Sequence, residues 1–102
     1  MRPIVLTRLD KARPALILTR DVALDFLNKV TIAPITSTSR GLSTEVPLGT
    51  ENGLDHPCVA SCDNITTVPK EAIVRQIGFL LDSQEPALAK AIGDALDLAL
   101  PA

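Results

Sequence analysis

The sequence is poor in aromatic residues: its 102 residues include two phenylalanines, Phe26 and Phe79, and neither tyrosine nor tryptophan. Proteins that bind single-stranded nucleic acid by base stacking need a platform of aromatic rings. This chain cannot build such a platform, and its core must be packed from aliphatic side chains. At this length we expect a single domain over residues 1–102, of a size at which self-association helps stability.

Long apolar runs are also absent. The sequence has no stretch of about 18 apolar residues for a membrane span, and the residues after Met1 lack the features of a signal peptide. We therefore expect a soluble, cytoplasmic protein. The net charge of −2 argues against a nucleic-acid coat protein. A local basic patch is still compatible with it, because most basic residues lie in the first forty positions.

Metal-ligating residues are few. Cys58 and Cys62 follow His56 in an H-x-C-x3-C pattern, but on a strand the two thiols would lie about 13 Å apart, too far for a disulfide. Three ligands without a fourth make a poor zinc site. We predict reduced, buried thiols, no metal and no cofactor. His56 is the only histidine, and its turn-rich loop places it at the surface.

Short apolar segments predict a mainly β fold. The segment Lys11–Asp21 contains four consecutive apolar residues, Ala15–Leu18, with cationic residues at both ends, which indicates a buried strand. Its short link to the preceding strand predicts an antiparallel hairpin. Pro34 favours a sheet edge or a bulge for its own strand. Strands are predicted at Ile4–Leu9, Ala15–Leu18, Val30–Thr36, Thr44–Leu48, Cys58–Asp63 and Arg75–Leu81.

The remaining segments predict loops and one helix. Asp21–Lys29 and Val68–Ile73 each indicate one helical turn, and Gly49–Pro57 indicates an exposed, turn-rich loop. The helix should start at Asp82 or Ser83 as N-cap. Its apolar stripe consists of Leu88, Ala91, Ile92, Ala95, Leu96 and Ala99. A small, strongly bent antiparallel sheet closed by a C-terminal helix fits this order.

Two residues remain as candidates for chemistry. Arg13 is attached through Pro14 to the buried strand, and a guanidinium in a fixed position suits anion recognition. Thr36 ends a strand and leads into the polar loop Ser37–Gly41, which could hold phosphate. On its own, such an Arg is usually a solvated charge, and a Thr at a strand end usually bonds the local backbone.

Five ordered segments together cover nearly the whole chain: Arg13–Asp21, Val30–Thr38, Arg40–Leu42 with Glu45–Val46, Val59–Ile65, and Arg75–Gly78 before the closing helix. Their residues and spacing resemble the MazF/PemK family of toxin–antitoxin endoribonucleases, especially its actinobacterial branch. One departure is the short link Asp10–Ala12, where many members carry a long glycine-containing loop that covers the active site. This departure leaves Arg13 and Thr36 in place.

The resemblance implies a homodimeric toxin with a half-open antiparallel β-barrel of the CcdB/PemK (MazF) type. It would cut single-stranded RNA at short motifs without a metal, by attack of a ribose 2′-OH on the adjacent phosphorus. Arg13 and Thr36 would be the catalytic pair, with Arg13 stabilising the phosphate; proton donation by Arg13 to the leaving oxygen is left open, and the base is unassigned. The implied partner is an antitoxin with a disordered segment that folds onto the dimer.

Five other residues are candidate RNA contacts, and two alternative functions are compatible with the sequence. The candidate RNA contacts are Lys11, Arg20, Ser37, Thr38 and Arg40. A CcdB-like gyrase poison is one alternative function, although such toxins depend on an aromatic C-terminal end and Leu98–Ala102 has no aromatic residue. A non-catalytic regulator that only binds an antitoxin or DNA is the other.

Overall fold

Seven β-strands and one α-helix make up residues 1–99, the part of the chain that the computed structural model describes. They are β1 (Arg2–Arg8), β2 (Ala12–Ile17), β3 (Lys29–Thr36), β4 (Glu45–Leu48), β5 (Cys58–Ser61), β6 (Thr66–Pro69), β7 (Ile73–Leu80) and α1 (Glu85–Ala95). Short 3₁₀ helices occupy Asp21–Ala23, Thr50–Asn52, Cys62–Asn64, Lys70–Ala72 and Asp82–Gln84. Leu100, Pro101 and Ala102, which belong to the chain end compared above with gyrase poisons, lie outside the described residues.

The strands form one antiparallel sheet in the order β4-β5-β3-β2-β1-β7, with β6 paired to β3. The predicted β1–β2 hairpin is present. β3 pairs with β2 on one side; on the other it pairs with β6 over Lys29–Ile32 and with β5 at Ile35 and Thr36. Because β3 is shared between these partners, the sheet bends around it into the half-open barrel that was predicted.

Pro34 lies inside this central strand, so the predicted sheet edge is wrong. The backbone of Thr31 faces β2, because its carbonyl accepts a bond of 2.8 Å from the Leu18 N–H. Backbone direction alternates along a strand, so the nitrogen of Pro34 faces away from β2. On that side it falls between the β6 pairing, which ends at Ile32, and the β5 pairing, which begins at Ile35. The lack of an N–H at Pro34 therefore costs no hydrogen bond between strands.

Two apolar clusters cover opposite faces of the central strands. Ile4 and Leu16 belong to the cluster that α1 closes, whereas Val5, Ala15 and Ile17 belong to the other. Neighbouring residues of β1 and β2 thus point to different cores. Strands that are buried on both faces carry continuous apolar runs, which is why the run in β2 predicted a buried strand correctly.

The predictions for the last third of the chain need two corrections. Thr66–Pro69 forms β6, where no strand was predicted, and the single helical turn at Lys70–Ala72 follows it. The helix extends from Glu85, after a 3₁₀ turn, to Ala95. Its N-cap is therefore Gln84 and not Asp82 or Ser83, and Leu96 and Ala99 of the predicted stripe lie beyond its end. Among the helices of residues 1–99, none has both the length and the apolar character that a membrane span requires.

The loop between β4 and β5 was predicted to be exposed, but its centre is buried. Asn52 is 1% exposed; its Oδ1 accepts from the Gly49 N–H, and its Nδ2 donates to the Phe79 carbonyl and to Gln84. At Gly78, an added Cβ would lie 2.0 Å from the Asn52 carbonyl oxygen. The centre of the loop is therefore anchored directly against β7.

Both cysteines are free and buried, as predicted. Burial raises the pKa of the Cys62 thiol to about 11, and it also raises the pKa of the Cys58 thiol. These thiols are protonated at neutral pH and are poor nucleophiles or metal ligands. Within residues 1–99, no group of three or more His, Cys, Asp or Glu side chains is placed to hold a metal ion.

Candidate active site

The register of β2 and β3 brings Arg13 and Thr36 together. Ala15 pairs with Pro34, and continuing the same register by two residues places Arg13 opposite Thr36. Directly opposed residues of an antiparallel pair present their side chains on the same face of the sheet. Both residues line one cleft with a volume of about 220 Å³. The two residues that were predicted as a catalytic pair therefore share one cleft.

Other residues of this cleft come from three segments. Lys11 and Ser37, two of the predicted RNA contacts, line the cleft beside Arg13 and Thr36. His56 lies in its wall, just before β5 begins. The His56 side chain is exposed, as predicted, but the sequence contained no signal that it would face Arg13 and Thr36 across a cleft.

Asp10 holds the Arg13 guanidinium through two hydrogen bonds. Arg13 Nε donates to Oδ1 over 3.0 Å, and Nη2 donates to Oδ2 over 3.2 Å. These bonds lower the pKa of the Asp10 carboxyl to about 2 and raise the pKa of Arg13. Asp10 was not among the residues predicted from the sequence. Its spacing from Arg13 could have indicated this pair, because a carboxylate three residues before an Arg in a tight hairpin can reach the guanidinium.

Thr36 has a hydroxyl whose orientation is set by its own loop. Its Oγ1 accepts a hydrogen bond of 3.2 Å from the Thr38 N–H. Because a hydroxyl has one donor and two acceptor sites, this bond uses an acceptor site and leaves the proton of Thr36 for another acceptor. The side chain is half-buried at the rim of the cleft. A phosphate oxygen near Arg13 is an acceptor of the required kind.

A second cleft adjoins the first and shares Thr36 with it. Its volume is about 410 Å³, and it contains Thr38 and Arg40, two further predicted RNA contacts. Its other lining residues are Pro34, Leu42, Glu45, Ser61, Asp63 and Asn64. The two clefts therefore meet at Thr36.

Several backbone N–H groups in the loop after Thr36 already have acceptors within the protein. The Glu45 carboxylate accepts from the Arg40 and Leu42 N–H groups at 3.1 Å and from the Ser39 hydroxyl at 3.2 Å. These bonds lower the pKa of Glu45, and the bond from the Arg40 N–H contributes most to this shift. The predicted phosphate-holding loop is therefore occupied by an internal carboxylate, and the side chain of Arg40 is its remaining cationic group.

Arg20 lies away from these two clefts. It lines a third cleft, of about 310 Å³, together with Arg2 and Glu85. Arg13 lies near the start of β2, Arg20 lies three residues beyond its end, and the third cleft shares no lining residue with the other two. The structure therefore brings Lys11, Ser37, Thr38 and Arg40 near the Arg13–Thr36 pair, but it does not bring Arg20 there.

Comparisons with known proteins agree with this architecture. The model of a family described as PemK-like, MazF-like toxin of type II toxin–antitoxin systems matches residues 3–96. Endoribonuclease MazF3 of Mycobacterium tuberculosis is 62% identical over 98 residues, which are 96% of this chain and 95% of the relative. The solved structure of M. tuberculosis toxin MazF-mt6 superposes with a TM-score of 0.95 at 61% identity, covering 97% of this chain and all of that one.

A more distant solved structure contains a partner. It is described as an endoribonuclease in complex with its cognate antitoxin from a mycobacterial species, and it matches with a TM-score of 0.86 at 25% identity. The match covers 97% of this chain and 95% of that chain. The fold, the family model and the relatives agree: the chain belongs to the PemK-like, MazF-like toxins of type II toxin–antitoxin systems.

Proposed function

We propose that this toxin is a metal-independent endoribonuclease that cuts single-stranded RNA within short sequence motifs and thereby inhibits translation and growth. The ribose 2′-OH attacks the adjacent phosphorus, which leaves a 2′,3′-cyclic phosphate and a 5′-OH. The observation that carries the proposal is the placement of Arg13 and Thr36 in one cleft from adjacent strands. The endoribonuclease names of its relatives favour RNA cleavage over the gyrase-poison and binding-only alternatives.

Arg13 supplies positive charge to the reacting phosphate. A guanidinium has five N–H donors, of which two bond Asp10, so three are left for phosphate oxygens. Charge-assisted bonds of this kind stabilise the negative charge that develops in phosphoryl transfer. Asp10 acts as a positioning residue, because its two bonds restrict the rotation of the guanidinium before RNA binds.

Thr36 supplies a neutral donor to the same phosphate. One of its two acceptor sites is used by the Thr38 N–H, and its proton remains available for a phosphate oxygen. Lys11 and Ser37 contact the backbone at the same cleft, and Thr38 and Arg40 contact it in the adjoining cleft. Arg20 is assigned no contact with the scissile phosphate.

The partners of the proposed toxin are a second copy of the chain and an antitoxin. The chain is small, and several large apolar side chains are exposed, including Phe26, Val74 and Phe79, which supports a homodimer. A distant relative has been solved in complex with its cognate antitoxin. We expect an acidic or amphipathic antitoxin segment to cover Arg13. The complex should be inactive on RNA, and a complex with full ribonuclease activity would contradict this prediction.

The test of the proposed function is cleavage of a long unstructured RNA in excess EDTA. Wild-type protein should make discrete cuts, and mapping should find cyclic-phosphate and 5′-OH ends. Arg13→Ala should lower the rate at least about 100-fold, which is typical when a preorganised donor to developing charge is removed. Arg20→Ala, a second exposed arginine outside the cleft, is the matched control and should cleave normally. Equal rates for wild type and Arg13→Ala would sink the assignment.

A further inference from the structure

The proposed reaction needs a group that removes the proton from the attacking 2′-OH. The guanidinium of Arg13 does not deprotonate in proteins, and a threonine hydroxyl such as Thr36 is not a base at neutral pH. Asp10 is engaged by Arg13, and this pairing keeps the pKa of its carboxyl at about 2. A general base works best when its pKa lies near the working pH, so Asp10 is poorly matched to this task.

The other titratable groups of the cleft are Lys11, Cys58 and His56. An ammonium such as that of Lys11 has three donors and no acceptor site. Burial, together with the nearby Asp55 carboxylate, raises the pKa of the Cys58 thiol, which therefore stays protonated. An imidazole is the side chain that exchanges protons most readily near neutral pH. His56 is the group among the lining residues that can serve as a base.

The sheet register explains why His56 reaches this site. Thr36 is the last residue of β3, and it pairs with Val59 near the start of β5. The chain that enters β5 must therefore run beside the chain that leaves β3, which places His56 next to the end of β3. The Cys58 thiol donates a hydrogen bond of 3.4 Å to the His56 carbonyl. The backbone of His56 is thus held by a buried residue of the sheet.

Asp55 determines which nitrogen of the imidazole is available. Its Oδ1 contacts His56 Nδ1. A carboxylate at Nδ1 favours the tautomer with its proton on Nδ1 and a lone pair on Nε2. Carboxylate–imidazole pairs of this kind are a common arrangement for a general base. The His56 side chain is 53% exposed and belongs to the lining of the cleft, so the imidazole is accessible to a bound substrate.

We propose that His56 is the general base of this toxin, with Asp55 as its positioning residue. This inference rests on the proposed endoribonuclease function and adds the group that its mechanism lacks. Nε2 takes the proton of the 2′-OH while the 2′-oxygen forms a bond to phosphorus. The bond between phosphorus and the 5′-oxygen breaks, and the leaving oxygen takes a proton from water. The proton on the imidazole then neutralises the hydroxide, so no net proton is consumed.

The experiment measures single-turnover cleavage of one RNA between pH 5 and 9 by wild type, His56→Ala, His56→Gln and Asp55→Asn. Glu51→Gln is the matched control, because Glu51 is an exposed acid of the same loop. Binding is measured separately with an uncleavable RNA that carries a 2′-O-methyl group at the cut site. Thermal melting of each variant confirms folding, and imidazole is added to His56→Ala as a chemical rescue.

We expect His56→Ala and His56→Gln to cleave about 100-fold more slowly or worse, the usual effect of losing a general base. Their affinity for the methylated RNA should stay within about twofold of wild type, because the base acts on the 2′-proton and not on the phosphate. The wild-type rate should rise with pH, because general-base catalysis requires the base in its deprotonated form. This rise in rate with pH should disappear in both His56 variants. Added imidazole should restore part of the cleavage rate of His56→Ala.

Several outcomes would overturn the inference. One is cleavage by both His56 variants within a few-fold of wild type with the same rise against pH. Another is a loss of rate that is fully matched by a loss of RNA affinity, which would make His56 a binding residue. In either case the loss of cleavage in Arg13→Ala would still support the proposed function. Absence of cleavage by the wild-type protein would overturn both.

Discussion

The Thr36 hydroxyl, at the end of β3, is expected to matter for RNA cleavage and little for stability. Its hydroxyl accepts from the Thr38 N–H and has a proton left for phosphate. We predict that Thr36→Val lowers the cleavage rate about 10- to 100-fold, the value of one hydrogen bond to a charged group. Thr36→Ser retains the hydroxyl and should stay within about threefold of wild type. Cleavage rates at saturating RNA are the measurement.

Stability provides the control for Thr36. The Thr38 N–H is exposed and can bond water when the hydroxyl is removed. Thr36→Val should therefore unfold within about 0.5 kcal/mol of wild type, as expected for substitutions outside the core. A variant that is fully stable and fully active would remove Thr36 from the catalytic pair.

The loop between β3 and β4 is held in one conformation by the carboxylate of Glu45. Glu45 accepts from the backbone of Arg40 and Leu42 and from the Ser39 hydroxyl. We predict that Glu45→Ala frees the loop and that trypsin cuts after Arg40 several-fold faster. Limited proteolysis followed by mass spectrometry measures this rate. Glu71→Ala, at another exposed acid, is the control and should not change it.

The direction of the pH effect on this loop follows from the pKa of Glu45, which is lowered in the folded protein. A carboxyl with a lowered pKa stabilises the fold above its ordinary value, and this contribution is lost as the pH falls through the folded value. Loop protection should therefore be constant at neutral pH and decrease only in acid. Equal protease sensitivity of wild type and Glu45→Ala at pH 7 would contradict the role of this carboxylate.

For the whole molecule, the distribution of charge matters more than its sum. The net charge is −2, yet Lys11, Arg13 and Arg40 line the two adjoining clefts. Three phosphate contacts with single-stranded RNA predict a slope of about −2 in a plot of log affinity against log salt. Filter binding of the 2′-O-methyl RNA at several salt concentrations measures it. Arg40→Ala should reduce the slope, whereas Arg20→Ala should not.

Some features of this fold and site followed directly from local patterns. The apolar run of β2 predicted a buried strand, and the short link before it predicted the hairpin. β6 escaped prediction because Val68 is its only buried residue, so no alternation of apolar and polar side chains marks it. Its pairing with β3 joins residues about forty positions apart, and such a long-range contact leaves no local pattern. His56 could not be predicted as a site residue for the same reason, whereas Asp10 lies three residues from Arg13 and was open to prediction.

Local sequence patterns are enough to predict the buried strands and the chemical groups at their ends, because alternation and apolar runs are properties of neighbouring residues. The pairing of Arg13 with Thr36 came from a family resemblance, and its geometry from the register of β2 and β3. The folded protein was needed to show that His56 lines this cleft and that Arg20 does not. Strand order and register, set by packing across the whole sheet, determine which strand ends meet.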